Sequence, residues 1–229
     1  MNVKKLLRYF STTERFLWGA SVAGILLSFL LFDRESVLTL AASLIGVTSL
    51  IFNAKGYPAG QALMIVFSFL YGIISFGFRY YGEMITYLGM TMPMAVLALA
   101  SWLRHPYRGN RSEVQVNRVK GKEWLLLSGL TVCVTVGFFF LLKYFHTANL
   151  IISAVSVATS FVAAYLTFRR SPWFAVAYAA NDLVLIVLWI LAAAHNSRYI
   201  SVTVCFTAFF FHDVYGFIRW RQMEKAQSN

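Results

Sequence analysis

Eight apolar runs alternate with short polar breaks along this chain: 16–32, 36–53, 58–78, 82–103, 124–142, 149–168, 172–194 and 199–218. Most are close to the ~20 residues that cross a bilayer as a helix. Lipid offers backbone groups no partners, so runs of this kind span as helices. The breaks carry glycine, proline or charge: KGYP at 55–58, a polar segment at 104–123, RRSP at 169–172. Pro58 and Pro172 each stand at a helix start, where a missing N–H costs nothing. The first run is the shortest and follows Lys4, Lys5, Arg8 and Arg15. It is too long for a signal-peptide core, and no small-residue cleavage site follows before Asp33. It is therefore read as a span.

The order of the runs carries an internal symmetry. Three of them (36–53, 58–78, 82–103) precede the polar segment and three (149–168, 172–194, 199–218) follow the run after it. Each triplet has a Thr-Ser pair in its first run, Thr48-Ser49 and Thr159-Ser160. Each has a basic loop ending in proline and a Trp beside Arg near its close. Pro58 and Pro172 are 114 positions apart; Trp102 and Trp220 are 118 apart. An odd number of crossings would invert the second triplet, and the run 124–142 restores its orientation. The predicted fold is an all-α polytopic membrane protein of eight transmembrane helices, 1 + (3+1+3), with two parallel three-helix repeats. Its parts are a basic segment and extra helix (1–35), repeat A (36–103), a loop and linker helix (104–148), repeat B (149–221) and a tail (222–229). In such transporters the site lies between the repeats near the bilayer midplane.

Composition supports the bilayer. The chain has 229 residues, 59% hydrophobic and 13% charged, with a mean hydropathy of +0.65, more apolar surface than a soluble domain hides. The net charge of +11 does not signal nucleic acid, because the basic residues sit in the short loops that set topology. With eight spans and both termini in the cytoplasm, only Arg34, Arg79, Lys143 and Arg198 of the 20 Lys and Arg fall on the outer side. Without the first span, Lys4, Lys5, Arg8 and Arg15 would join them. Cys133 and Cys205 lie inside apolar runs and form neither a metal motif nor a disulfide framework.

The chemistry concentrates in YAANDLVLIVLW (178–189). Asp182 lies midway along the run 172–194, where a carboxylate costs on the order of 3 kcal/mol to insert. Such a group faces a cavity or a polar partner. Asn181 adds two donors and an acceptor. Tyr178, Asp182, Leu185 and Trp189 form one helical stripe, with Trp173 at the cytoplasmic mouth. An amide, a carboxylate, a phenol and flat rings suit a small ring-bearing polar solute; the plain alternative is that the pair only packs against polar groups of other helices. From the first triplet, Gln61, Tyr71 and Asn53 are the polar residues able to close such a site, with Phe67 between the first two. His212 and Asp213 near the last run's end read as a gate, Asp213 pairing with Arg219, Arg169 or Arg170, rather than as a proton relay. No Gly-rich phosphate loop, HExxH or GxSxG is present, so no cofactor, metal or catalytic residue is expected.

With those residues in place, the chain resembles the bacterial nicotinamide riboside transporter (PnuC) family across roughly 36–221. Four stretches carry the likeness: FNAKGYPAGQ, YYGEMITYLGMTMP, PWFAVAYAAND and HDVYGFIRW. The resemblance implies a layout similar to SWEET sugar transporters, a homotrimer in the bacterial inner membrane, and facilitated diffusion of an unphosphorylated vitamin that a cytoplasmic kinase then traps. The family's Trp-and-amide motif falls on Trp173 and Asn181. Where many members carry a second Trp the chain has Val176, which leaves Tyr178 to stack and keeps thiamine and riboflavin open as substrates. Two other classes are weighed. An intramembrane lipid-modifying enzyme needs paired groups at one depth, and Asp182 and Asp213 are expected at different depths. A vitamin-binding subunit of an ATP-driven module has fewer helices and small-residue docking motifs, which are not seen.

Overall fold

In a computed structural model, residues 9–77, 80–147 and 149–228 are described. Lys4, Lys5, Arg8 and Arg79, which entered the charge count, lie outside them. Among the described residues eight helices are long and apolar enough to cross a membrane. They are α1 (Thr12–Phe32), α2 (Val37–Ala54), α3 (Ala59–Gly77), a composite span, α6 (Gly121–Tyr144), α7 (Leu150–Phe168), α8 (Trp173–Ala193) and α9 (Ile200–Gln227). The composite span is α4 (Tyr81–Thr86), a π turn (Tyr87–Thr91) and α5 (Met92–Arg104). Pro93 explains that turn: proline has no N–H for an i−4 bond and its ring crowds the carbonyl there, so the helix widens just ahead of it.

The ends of two helices differ from the apolar runs. Helix α1 begins at Thr12 because Ser11 and Glu14 make a capping box, Glu14 N–H donating to Ser11 Oγ (3.2 Å) and Ser11 N–H to Glu14 Oε2 (2.7 Å). Helix α9 runs nine residues beyond Ile218, where the apolar run stops but helix formers continue. The polar segment is also not plain loop. It holds a β-hairpin, β1 (Pro106–Tyr107) and β2 (Asn110–Val114), turned through Arg108 and Gly109, both at positive φ. The hairpin strap is tied to both basic turns: Val114 N–H donates to Gly56 O (3.0 Å) and Asn117 N–H to Arg170 O (3.0 Å).

Those two turns are built alike. Gly56 and Arg170 both have positive φ, 65° and 57°. Gly56 N–H bonds Asn53 O and Tyr57 N–H bonds Phe52 O; Arg170 N–H bonds Thr167 O and Ser171 N–H bonds Leu166 O. All four pairs keep the 114-residue offset of Pro58 and Pro172. Each turn also presents a basic residue to a glutamate one helix further back, on α1 and α6: Lys55 to Glu14 (3.1 Å) and Arg169 to Glu123. The Glu123 carboxylate raises the pKa of the Arg169 guanidinium by hydrogen bonding to it.

Two tryptophans cross between the halves. Trp102 Nε1, at the end of α5, donates to Thr167 O of α7 (2.9 Å), and Trp220 Nε1, on α9, donates to Asn53 O of α2 (2.8 Å). Their rings meet at 5.3 Å, with Phe174 against Trp220 at 4.9 Å, all fully or nearly fully buried. Trp220→Phe removes one of the two donors to Asn53 O, which keeps its bond from Gly56 N–H, and leaves a void where the larger ring was. It is expected to cost about 1–3 kcal/mol from the lost bond and the void together, read as a lower melting temperature of the detergent-solubilised protein.

Helix α9 packs on α8, α2 and α1, while α6 packs on α7. Within the chain α6 buries only Leu127 and Leu142, with Val134 and Phe138 partly covered; Leu125, Leu126, Val132, Val136 and Phe140 are left exposed on its outer face. The chain is a multi-pass membrane protein.

Candidate functional site

One face of α8 builds the site. Tyr178, Asn181, Asp182 and Leu185 recur at helical spacing and turn toward α7, the π turn and α9. Asn181 and Asp182 are both 3% exposed. Three hydroxyls from one face of α7 converge on Asn181: Thr159 Oγ1 (2.8 Å), Ser160 Oγ (3.0 Å) and, more distantly, Ser156 Oγ (3.4 Å) reach its Oδ1. With its oxygen occupied, the amide NH₂ is the group left for a guest. The Thr-Ser pair of the second triplet thus orients the site's amide. Its counterpart does something else: Thr48 accepts from Trp18 Nε1 (3.1 Å), tying α1 to α2.

These residues line a closed cavity. Its aromatic walls are Phe67, Tyr87, Tyr178, Phe206 and Phe209, and Leu50 and Met64 complete the apolar part. Thr91, Ser160, Asn181, Asp182 and Asp213 are its polar part. Both ends of the π turn, Tyr87 and Thr91, face it, which fits the tendency of π turns to sit at functional sites. About 20 Å³ is open inside, room for a water but not for a ring-bearing solute. Aromatic rings stand behind the walls on two sides. Phe174 lies against Tyr178 (6.2 Å), with Trp220 and Trp102 behind it. Tyr71 stands against Tyr87 (4.3 Å) and Phe206 (5.6 Å) on the other side, and Trp189 backs it at 6.2 Å.

The expected pairing of Asp213 with Arg219, Arg169 or Arg170 is not found. Asp213 turns into the cavity that Asp182 also lines. Arg219 turns to Glu14 (3.9 Å) and Gln222 (2.8 Å). The reason is the length of α9: its helix continues past the apolar run, so Asp213 lies deeper than the run's end implies. Six residues along a helix also put Arg219 on a different face. The depth argument against an intramembrane enzyme fails with it. No relay forms either, since His212 faces away, its Nε2 3.1 Å from Ser21 Oγ on α1.

The remaining sequence candidates lie elsewhere. Gln61 Nε2 donates to Asn53 Oδ1 (2.9 Å), and the pair is buried where α2 meets α3, outside the cavity lining. Trp173 is 45% exposed and packs on Phe217 (5.4 Å). Trp189 is fully buried between Tyr80 and Tyr199 (4.9 and 5.5 Å). Tyr71 lies one ring behind the wall. The structure also buries three further carboxylates to which the sequence reading gave no role, Glu14, Asp33 and Glu83. Glu14 is held by Lys55, Tyr215 and Ser11. Of the residues sequence reasoning missed, Tyr87 and Thr91 had a signal in GMTMP, a proline inside an apolar run; Phe206 and Phe209 had none among so many phenylalanines.

Comparison with known proteins gives the geometry a context. Residues 36–222 match the model of the family described as nicotinamide mononucleotide transporter. A protein of Neisseria mucosa named nicotinamide riboside transporter PnuC is 25% identical over 215 residues, covering 92% of this chain and 82% of that protein. The fold is that of a solved structure described as the crystal structure of the vitamin B3 transporter PnuC, with a TM-score of 0.83 and 22% identity, covering 95% of this chain and 94% of the other. With most of its length inside the family match and its eight spans laid out on the same fold, the chain belongs to the nicotinamide mononucleotide transporter family, the family of the nicotinamide riboside transporter PnuC.

Proposed function

We propose that the chain carries an unphosphorylated, ring-bearing vitamin, in first place nicotinamide riboside, across the bacterial cytoplasmic membrane by facilitated diffusion. One observation carries this reading: a closed mid-membrane cavity where an oriented amide and carboxyl groups sit within aromatic walls. A pyridinium ring suits those walls, and Asn181 NH₂ suits a ribose hydroxyl. The names of the Neisseria relative and of the solved structure agree with it. A cytoplasmic kinase that phosphorylates the solute would trap it without stable contact. The charge distribution favours both termini inside. The matching basic turns and the reciprocal tryptophan bonds favour two parallel repeats, which rock about the closed cavity and open one aromatic side at a time. The exposed apolar face of α6 is in keeping with a homotrimer.

The test is calorimetric titration of the purified protein with nicotinamide riboside, thiamine and riboflavin. Binding of the riboside alone is expected; binding of another vitamin instead would reassign the substrate. Incubated with phospholipid or isoprenoid, the protein is expected to leave both unchanged on thin-layer plates.

Gly46 on α2 offers a second check. A Cβ there would lie 2.3 Å from Phe209 Cζ and 3.0 Å from Phe67 Cδ2, and both rings line the cavity. Gly46→Ala is expected to push them inward and slow uptake into proteoliposomes roughly tenfold or more, by overpacking a well-filled interior. Unchanged uptake would mean that the cavity is not on the path.

A further inference from the structure

The two basic turns share a backbone but not a set of side chains. Where the first has Gly56 and Tyr57 and takes Val114 from the strap, the second has Arg170 and Ser171 and takes Asn117. The first is packed shut: a Cβ on Gly56 would meet Met223 Cε at 2.7 Å and Val114 Cγ1 at 3.2 Å. The second stands open. Asn117, Arg118, Ser171, Trp173 and Glu224 line a pocket with about 200 Å³ of free space, far beyond the ~15 Å³ that a water needs.

This pocket is rich in donors that lack acceptors. Ser171 is 1% exposed and its Oγ has no partner; Asn117 Nδ2 is also buried without one. Helix α8 starts here with Pro172 at its N-cap and no side chain capping it, so none answers the positive end of its dipole. Arg170, next in the chain, buries Nε and Nη1 with no partner. Burial and the charge of Arg169 hold its pKa below the ordinary guanidinium value. Glu224, the carboxylate of the pocket, is already taken up by Arg118 (2.9 Å) and Arg221. Buried donors left unmade oppose folding, and the first turn shows that the backbone forms without them.

We propose that this pocket is a binding site for a phosphate monoester, with Ser171 Oγ and Asn117 Nδ2 donating to its oxygens at the N-terminus of α8 and Arg118 at the rim. Three terminal oxygens and a charge near −2 match donors that arrive from three segments, the strap, the turn and the helix start; a carboxylate offers two oxygens and one charge. The same group is carried by soluble metabolites and by phosphatidate headgroups, and the pocket lies at an end of the bundle that both can reach. The site stands apart from the central cavity and from whatever that cavity carries.

Thermal unfolding of the full chain in neutral detergent, with rising glycerol 3-phosphate at constant ionic strength, reads occupancy. A saturating stabilisation is expected. Ser171→Ala and Asn117→Ala are each expected to raise the half-saturating concentration about tenfold or more, the loss of one bond to a charged group. Without the ester, Ser171→Ala should melt no lower than wild type, because the hydroxyl it removes is unbonded; a lower melting temperature there would mark the serine as structural and overturn its role. A repeat in phosphatidylcholine nanodiscs with and without phosphatidic acid separates the sources. Stabilisation by the lipid that Ser171→Ala abolishes assigns the headgroup, and stabilisation by the soluble ester alone assigns a metabolite. No stabilisation of the wild-type protein by either ester overturns the proposal. So does equal stabilisation of wild type and both variants, which would place the phosphate elsewhere.

Discussion

Asn181→Ala and Asp182→Ala are expected to weaken riboside binding by about 10- to 100-fold each while leaving the protein folded. Each removes a hydrogen-bonding group facing the guest, and a bond to a neutral or charged group is worth about 1–3 kcal/mol in such a setting. For Asn181 the fold tolerates the loss because a helical Ser or Thr hydroxyl can turn back to a carbonyl of its own preceding turn. Thr159 Oγ1 already lies 3.0 Å from Val155 O and 3.1 Å from Ser156 O. For Asp182 the fold tolerates the loss because its Oδ2 has no hydrogen-bond partner, so burying it opposes folding more than it supports it. Gln61→Ala is the control: its amide is committed to Asn53, outside the cavity, so affinity should stay within about twofold, a few tenths of a kcal/mol. Titration calorimetry on monodisperse protein measures all three. Equal affinity in wild type, Asn181→Ala and Asp182→Ala would displace the site from α8.

Gly60→Ala should produce the largest loss of stability. A Cβ on Gly60 would stand 2.2 Å from Asn53 Oδ1 and 2.7 Å from Asn53 N. The side-chain oxygen can swing away, but the backbone nitrogen moves only with α2. The helix must shift, and two bonds anchored on Asn53 shift with it: the one from Gln61 and the one from Trp220 across to the other half. A cost of at least about 3 kcal/mol is expected, from overpacking together with strained buried hydrogen bonds. Gly129→Ala on α6, where nothing lies within 4 Å of the added carbon, is expected to be neutral or slightly stabilising, as alanine is the better helix former. Thermal unfolding in detergent reads the contrast; similar melting temperatures for the two variants would refute the close approach at Gly60.

How much of the site could be read in advance divides along one line. Asn181 and Asp182 stood out because their cost is local: a polar pair halfway along an apolar run is expensive wherever its helix packs. Asp213 was visible too, but its depth was inferred from where the apolar run stops. A helix has no obligation to end there, and α9 does not. Gln61 and Asn53 looked like site residues because buried polar groups need partners; which partner each takes is a matter of packing, and these two take each other. Trp173 and Trp189 were drawn in by spacing along α8, yet a stripe of one helix faces several neighbours at different depths, and only the middle turns meet the cavity.

By itself the sequence determined the eight spans, the basic turns and the costly polar spot on the seventh crossing, because bilayer thickness and backbone hydrogen bonding act on each segment alone. Tertiary structure alone decided which side chains share the cavity. Asp213 came into the cavity that Asp182 lines, three hydroxyls came to Asn181 and a π turn brought in Tyr87, because contacts between distant helices depend on crossing angles and registers that no single segment encodes.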